Sequence, residues 1–303
     1  MILSYENMVG DRPSIREALI MSGVATAPIV SMLKTKKIGN FVHAWLNDKY
    51  ADPKENANLE VTGVGETPKD TKQKTTNVCQ ILKSEVKVSW RKQDINQYVG
   101  DELNRQVAKV GKEHIKDLEF ALLGLNHNDV FAKYVDMSDA TAAKMAGFWY
   151  FIPNDNQKDF GGTDFTLEQL HEIIQPVWEK GGVDDGKFKI FMGAGLKAKV
   201  NKWIEANSSL RVKVDNNTID PRVTRIVTDF GEVDVVLHRL FQNDKLKDKV
   251  LCGNFSDSHI CYLHDTKLEE VSTDETATIK RFYTDATLEV GNAYYFASGK
   301  GLQ

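Results

Sequence analysis

Hydrophobic positions recur along this chain with two different periods, and the change of period marks its elements. From Gly100 to Leu125, GDELNRQVAKVGKEHIKDLEFALLGL, the spacing is helical. Leu103, Val107 and Val110 make a narrow stripe, which beyond Gly111 widens through Ile115, Leu118, Phe120, Ala121, Leu122 and Leu123. The pattern predicts one helix over residues 101–124, roughly 35 Å long at ~1.5 Å per residue. Such a rod starts half solvated and ends buried. Asp101 stands where a cap belongs and Glu102 where an acid meets the positive end of the helix dipole. Gly124 stands where a left-handed residue ends a helix, with Leu125 folding back behind it. Lys109 with Glu113, and Glu113 with Lys116, read as surface pairs.

The second period is that of strands. IGNFVHAWLNDKY (38–50) and NVCQILKSEVKVSW (77–90) read as extended, and the latter sets Val78, Leu82, Val86 and Val88 against Cys79, Lys83, Glu85 and Lys87. Between Ala51 and Thr76 the apolar side chains are Ala51, Ala57, Leu59, Val61 and Val64, in a background of charged residues, Thr, Gly and Pro. Such a tract buries too little surface to offset its own ordering entropy. A long two-stranded arm with a polar tip is stable only against something outside itself, another domain or another subunit.

The rest of the chain is mixed. Ser14 opens a short helix, SIREALIMSG, which Gly23 stops, with Ile15, Leu19 and Ile20 on its docking face. Residues 24–33 read as an extended connector, because Pro28 disfavours helix at Ala27. Residues 126–139 are an irregular connector. The apolar run MAGFWYFI predicts a buried strand at 148–152 ending at Pro153, and NDNQKDFGGTD a loop. Thr166 caps a helix on which Leu167, Leu170, Ile174 and Trp178 recur, with Pro176 in its last turn and Gly181 as its stop. KFKIFM is a strand, LKAKVNKWIE a helix and RVKV a strand. VTRIVTDFGEVDVVLHRLF is a hairpin turning near Phe230 and Gly231, and KVLCGN, HICYLH and NAYYFASGK are strands. The class is α+β.

Composition narrows the function. The 303 residues, 41% of them apolar, suffice for a real core, and 39 basic against 43 acidic residues leave a net charge of −4. No electrostatic footprint for nucleic-acid or anionic-membrane binding is visible. Cys79, Cys252 and Cys261 form neither an even disulfide framework nor a C-x-x-C pair, which favours a reducing compartment. MILSYENMVGD lacks the layout of a signal peptide, and no run approaches the ~20 apolar residues that span a bilayer.

Candidate chemistry is sparse. Gly193, Gly195 and Ala198 form a G-x-G-x-x-A between a strand and a helix, with Asp215 about 20 residues on, the context of a dinucleotide-binding turn. The alternative function is therefore a nicotinamide-dependent oxidoreductase. Against it, a hairpin follows where further βα repeats should stand. His171 begins HEIIQ, but Gln175 occupies the place of a second zinc-binding histidine. Cys252, His259, Cys261 and His264 are of ligand type, with His259 and Cys261 on one face of a strand and His264 on the other. No catalytic residue, cofactor or metal is expected from these motifs.

Read together, the arm and the long helix carry an ordered set of signatures. They are Thr26-Ala27-Pro28, Trp45-Leu46-Asn47-Asp48, Asn77-Val78-Cys79-Gln80-Ile81 through Val86-Lys87-Val88-Ser89, and Gly100 leading to Asp117-Leu118-Glu119. Further on come Met145-Ala146-Gly147, Trp178-Glu179-Lys180-Gly181-Gly182, Thr228-Asp229-Phe230-Gly231, and Thr287-Leu288-Glu289-Val290 with Asn292. In this order they resemble the tailed-phage major capsid proteins, in the branch of short, unfused members.

The resemblance implies the phage major capsid protein fold. Its parts would be an N-terminal arm (1–37), an extended β-hairpin loop (38–92), a peripheral domain with a spine helix at 101–124 (93–144), an axial domain (145–248), and a return to the peripheral sheet (249–303). It implies hexamers and pentamers of an icosahedral shell around double-stranded DNA, in a virion assembled in the host bacterial cytoplasm. Portal and separate scaffold or decoration proteins are implied as partners, and no membrane. Subunit contacts are expected at Trp45, Asp48, Glu60, Lys69, Lys72, Gln80 and Gly111. Gly111, at mid-helix where glycine costs about 1 kcal/mol relative to alanine, is either a packing contact or a hinge. The sequence departs from the family at Trp90-Arg91, where relatives often have small residues. Only about 13 residues precede the first helix, which implies a scaffold that is separate or absent. A lysine–asparagine crosslink, known in some such capsids, is left unassigned.

Overall fold

The computed structural model describes residues 27–48, 53, 55, 57, 60, 72–95, 101–183, 187–206 and 223–303. The first half of the chain gives α1 (Pro28–Met32), β1 (Lys34–Lys37), β2 (Val42–Asn47), β3 (Gln73–Val78), β4 (Gln80–Ser89), α2 (Trp90–Asp94) and α3 (Glu102–Leu122). Then come α4 (Phe148–Phe151), β5 (Gln157–Thr163), α5 (Leu167–Glu179), β6 (Phe188–Met192) and α6 (Ala194–Ala206). The chain ends with β7 (Val223–Thr228), β8 (Gly231–Leu237), β9 (Val250–Asn254), β10 (His259–Val271), β11 (Ala277–Glu289) and β12 (Phe296–Leu302).

The strands form a four-stranded sheet in the order β1-β10-β11-β4, a six-stranded sheet in the order β5-β12-β9-β6-β8-β7, and the separate pair β2-β3. The last 55 or so residues, expected to return to one sheet, serve both: β10 and β11 build the centre of the first, and β9 and β12 are adjacent interior strands of the second. One core joins α1, α4 and the end of α3 through Ile29, Leu122, Phe148 and Trp149 to Phe255, Leu288 and Phe296. The other joins α5 and α6 to the six-stranded sheet through Ile173, Ile174, Val200, Ile190 and Val235.

The long helix forms as its pattern predicts. Asp101 Oδ1 accepts from the N–H groups of Leu103 and Asn104 at 2.9 and 3.3 Å. At the other end Gly124 turns left-handed at φ 68°, and the Leu125 N–H donates to Phe120 O at 3.1 Å. A Cβ on Gly147 would stand 2.3 Å from Gly124 N, so this terminus is a backbone-on-backbone contact that only glycine allows. The widened stripe is partly different from expectation. Ile115 is 45% exposed, while His114 and Glu119 are buried. The His114 ring joins Ser84 Oγ at 2.9 Å and Thr284 Oγ1 at 2.7 Å and stacks on Phe282, so polar pairing together with ring contact lays mid-helix on β4 and β11. Gly111 lies over Phe282, whose Cζ would be 3.1 Å from an added Cβ.

Four local expectations are corrected. The Phe148–Ile152 segment is a turn of helix, not a strand. Its apolar run has no alternation to fix a period, and burial of Phe148, Trp149 and Phe151 among rings such as Phe255 and Phe131 decides for helix. Residues 28–32 are helical because Pro28 occupies the first turn, where its missing N–H is no loss; only Ala27 is held out of the helix. The segment read as a loop after Pro153 contains β5, an edge strand parallel to β12 whose register slips at Gly161-Gly162, both at positive φ. The returning strand of the arm is two strands, β3 and β4, broken at Cys79, whose N–H donates to Phe41 O at 2.9 Å and which is wholly buried rather than on the polar face. RVKV and Asp215 lie outside the described residues, as does the helix expected from Ser14.

Candidate assembly interface

β2 and β3 pair antiparallel from Val42↔Val78 to Asn47↔Gln73, and among the described residues this sheet has no third strand. The two faces of β2 differ. Val42 and Leu46 point outward, 43% and 66% exposed. On the inward face the rings of His43 and Trp45 stack at 5.7 Å, and Trp45 meets Phe151 at 5.5 Å, so the arm is seated on the main core by aromatic contact.

The foot of the arm is fixed by buried polar groups. Asn77 is fully buried and uses both ends of its amide. Oδ1 accepts from the N–H groups of Val78 and Ala146, each at 3.0 Å, while Nδ2 donates to Leu288 O at 2.9 Å and Ala146 O at 3.2 Å. Arm, α4 approach and β11 are thereby tied through one side chain. Gln80 Oε1 does the same on a smaller scale, accepting from Asn126 Nδ2 at 2.8 Å and Met145 N at 3.1 Å. Below the arm, Glu289 accepts from His43 Nε2 at 2.6 Å, Cys261 Sγ at 3.2 Å and Lys36 Nζ at 3.1 Å. Burial pushes the Glu289 pKa up, but these three donors outweigh it and hold the carboxyl below its ordinary value.

A second buried carboxylate ties α1 to the long helix. Glu119, on α3, accepts from Ile29 N at 2.9 Å, Val30 N at 2.8 Å and His238 Nε2 at 2.7 Å. It is the N-terminal cap of α1, supplied from 90 residues away. Neither Glu119 nor Asn77 stands out in the sequence as a site residue; the only signal is their place in the ordered signatures.

Of the residues expected at subunit contacts, Trp45, Gln80 and Gly111 have these partners within the subunit. Asp48 and Lys72 are exposed but also interact within the subunit, Glu60 is exposed, and Lys69 lies outside the described residues. The Trp90-Arg91 departure forms α2, capped by Ser89 Oγ accepting from Lys92 N at 3.3 Å, with Trp90 53% exposed.

The chemistry candidates resolve into structural roles. Gly193 is needed because a Cβ there would stand 2.9 Å from Phe241 O, so the approach that glycine permits is to this chain's own backbone. The turn is closed further by Lys197, buried, with Nζ donating to Val235 O at 3.0 Å. His171 packs edge-on against Phe230 at 5.6 Å. His264 lies 3.6 Å from Asp285, and Cys252 donates to Ala297 O at 3.3 Å in the other sheet, so neither joins Cys261. No helix among the described residues is long and apolar enough to cross a membrane.

A separate two-stranded arm, a long helix laid on a four-stranded sheet, and a six-stranded α/β layer define a class: the shell-forming proteins of the phage capsid fold. Solved structures share this architecture. A structure from Microbacterium phage Oxtober96 superposes with a TM-score of 0.63 at 15% identity, covering 96% of each chain. The capsid of a native GTA particle gives 0.62 at 12% identity over 96% of this chain and 95% of that one. The SrpI encapsulin of Synechococcus elongatus PCC 7942 gives 0.62 at 10% over 94% and 92%. At such identities the likeness is one of fold. No curated protein matches the sequence. The SU10 major capsid protein family matches residues 3–303, and the chain belongs to that family. It is a major capsid protein of a phage, a component of the virion shell, and the oxidoreductase alternative has no support.

Proposed function

We propose that copies of this chain close into hexamers and pentamers of an icosahedral head through the β2–β3 arm, with residues 49–71 reaching a neighbouring subunit. The observation that carries this reading is the outward face of β2, where Val42 and Leu46 are exposed on a ribbon that pairs only with itself among the described residues. A two-stranded ribbon is marginal alone, and its inner face is already seated, so the outer face is what a neighbour covers. Asp48, Glu60, Lys69 and Lys72 are the contacts we assign to that neighbour; Trp45, Gln80 and Gly111 set the angle at which arm and helix leave the subunit.

In this reading residues 1–37 are the N-terminal arm, 38–92 the extended loop, 93–144 the peripheral domain and 145–248 the axial domain, with strands of 249–303 completing both sheets. The head encloses double-stranded DNA without sequence specificity. A net charge of −4 suits a wall that holds phosphates weakly, since each phosphate contact adds salt-dependent affinity. Portal and separate scaffold or decoration proteins complete the particle, which assembles in the host bacterial cytoplasm, and no catalytic role is assigned.

Deleting residues 52–70 tests this. The subunit is expected to stay soluble and folded by circular dichroism while forming no shells in negative-stain microscopy, because an interface of the obligate class, roughly 2,000 Å² or more, loses its centre. Intact shells from the deletion would overturn the reading.

A further inference from the structure

The foot of the arm gathers side chains of metal-ligand type from three strands. His43 on β2, Cys261 on β10 and Glu289 on β11 present ligand atoms that all lie within 4.8 Å of one another. His259, two residues before Cys261 on the same face of β10, stands just outside that group, with its Nδ1 3.9 Å from Glu289 Oε1, so a small swing of its ring would complete the set. That nitrogen is buried and has no hydrogen-bond partner. At 3.9 Å it is too far to donate to Glu289, so a buried polar atom beside the cluster is left without a hydrogen bond. A buried polar atom in that condition calls for an explanation, an ion among them. One thiol, two imidazoles and one carboxylate are the donors of a tetrahedral zinc-type centre; calcium and magnesium take oxygen ligands.

We propose that His43, His259, Cys261 and Glu289 form a zinc-class metal site that clamps the first strand of the arm to the four-stranded sheet. Bonds of ~2.0–2.3 Å put the ligand atoms of a tetrahedron about 3.3–3.8 Å apart. The His43–Glu289 contact at 2.6 Å therefore opens on binding, while the His259–Glu289 gap of 3.9 Å is already nearly that of two ligands of one ion. Binding replaces the thiol hydrogen of Cys261 and moves the His43 ring hydrogen from Nε2 to Nδ1, so one proton leaves per ion bound, and the thiolate and the Glu289 carboxylate together cancel the charge of the divalent ion. Lys36 stays outside the sphere, its Nζ 3.1 Å from Glu289 Oε2, as an outer-shell partner that orients the ligating carboxylate. Residues 43 and 289 meet only in the folded chain, so the ion stabilises the native arm angle against the unfolded chain.

The test uses the full-length protein stripped with a chelator, with Co²⁺ and Zn²⁺ as the probes. One Co²⁺ per chain is expected, with a thiolate-to-cobalt charge-transfer band, the intense visible bands of tetrahedral coordination, and displacement by Zn²⁺. Cys261→Ser should lose the charge-transfer band, and Cys252→Ser, in the other sheet, should keep it. His259→Gln, at a half-buried ring, decides the matter should Cys261→Ser fail to fold. It should keep the wild-type circular dichroism and bind more weakly by over the roughly 10- to 100-fold that outer-shell partners are worth. Failure of the wild type to bind Co²⁺ one to one, a charge-transfer band that survives in Cys261→Ser, or His259→Gln binding cobalt like the wild type would overturn the proposal.

Discussion

Glu119 Oε1 stands 2.7 Å from His238 Nε2, across 119 residues of sequence and with both side chains buried. His238 Nδ1 accepts from Leu240 N at 3.2 Å, which puts the ring proton on Nε2, facing the carboxylate. The same carboxylate caps α1 through Ile29 and Val30, so one side chain of the long helix holds the segment before β1 and the end of β8 at once.

Replacing Glu119 by Gln turns one acceptor oxygen into a donor in a ring of three donors. The expected cost is about 1.5–3 kcal/mol, the range for hydrogen bonds to a charged group. His238→Gln, which removes one donor and leaves the backbone cap, should cost about 1–3 kcal/mol. Denaturant midpoints of the soluble subunit measure both, and limited proteolysis should show residues 27–33 exposed in Glu119→Gln. An unchanged midpoint for Glu119→Gln would sink this account of α1.

Gly111 is explained by Phe282, whose ring also stacks on His114 at 5.8 Å. An alanine methyl would need the ring to shift by a few tenths of an ångström, a strain set against the ~1 kcal/mol that alanine contributes in a helix. Gly111→Ala should therefore stay within about 1 kcal/mol of wild type, and in a Phe282→Leu background the same change should stabilise by about 1 kcal/mol. A double-mutant cycle reads the coupling. Strict additivity would remove the packing account and leave the hinge reading, which a comparison of particle diameters between mutant and wild type would then decide.

Asp234 on β8 faces Lys189 on β6 and Arg225 on β7 as register partners, at 3.1 and 2.7 Å. Burial pushes its pKa up, but the hydrogen bonds from Arg225 and Lys189 outweigh this and leave it below the ordinary 3.8. A carboxyl depressed by folding contributes stability that is complete above its unfolded value and lost as pH falls through its folded value. The row should thus hold at neutral pH and fail below about pH 3.8. Asp234→Asn should cost about 1.5–3 kcal/mol at pH 7 and flatten this part of the acid limb, checked by denaturation between pH 7 and 2. A mutant with the same pH slope as wild type would contradict the assignment.

The bounds of the long helix were legible because their information is local: a cap, a helical stripe and a terminating glycine lie within one another's reach along the chain, whereas the burial of His114 and Glu119 and the exposure of Ile115 were not. The Thr166 cap, with Gln169 completing a capping box, and the hairpin at Gly231 were legible for the same reason. The run at 148–152 was not, since an all-apolar segment without alternation fits helix and strand alike, and only the surrounding rings choose. Nor was the break at Cys79, because the pattern of a strand does not say which sheet each half joins.

Sequence alone determined the class, the arm with its polar tip, the spine helix and, through the order of its signatures, the family. Tertiary structure decided what those signatures are for. Asn77, Glu119 and Glu289 are ordinary polar residues until folding buries them beside partners 69, 90 and 246 positions away, and a buried polar group must then be paired. Gly147 and Gly111 likewise acquire their reason only from what packs over them, Gly124 and Phe282. Periodicity records the free energy of burying one face of an element; which groups meet across the core depends on the path of the whole chain.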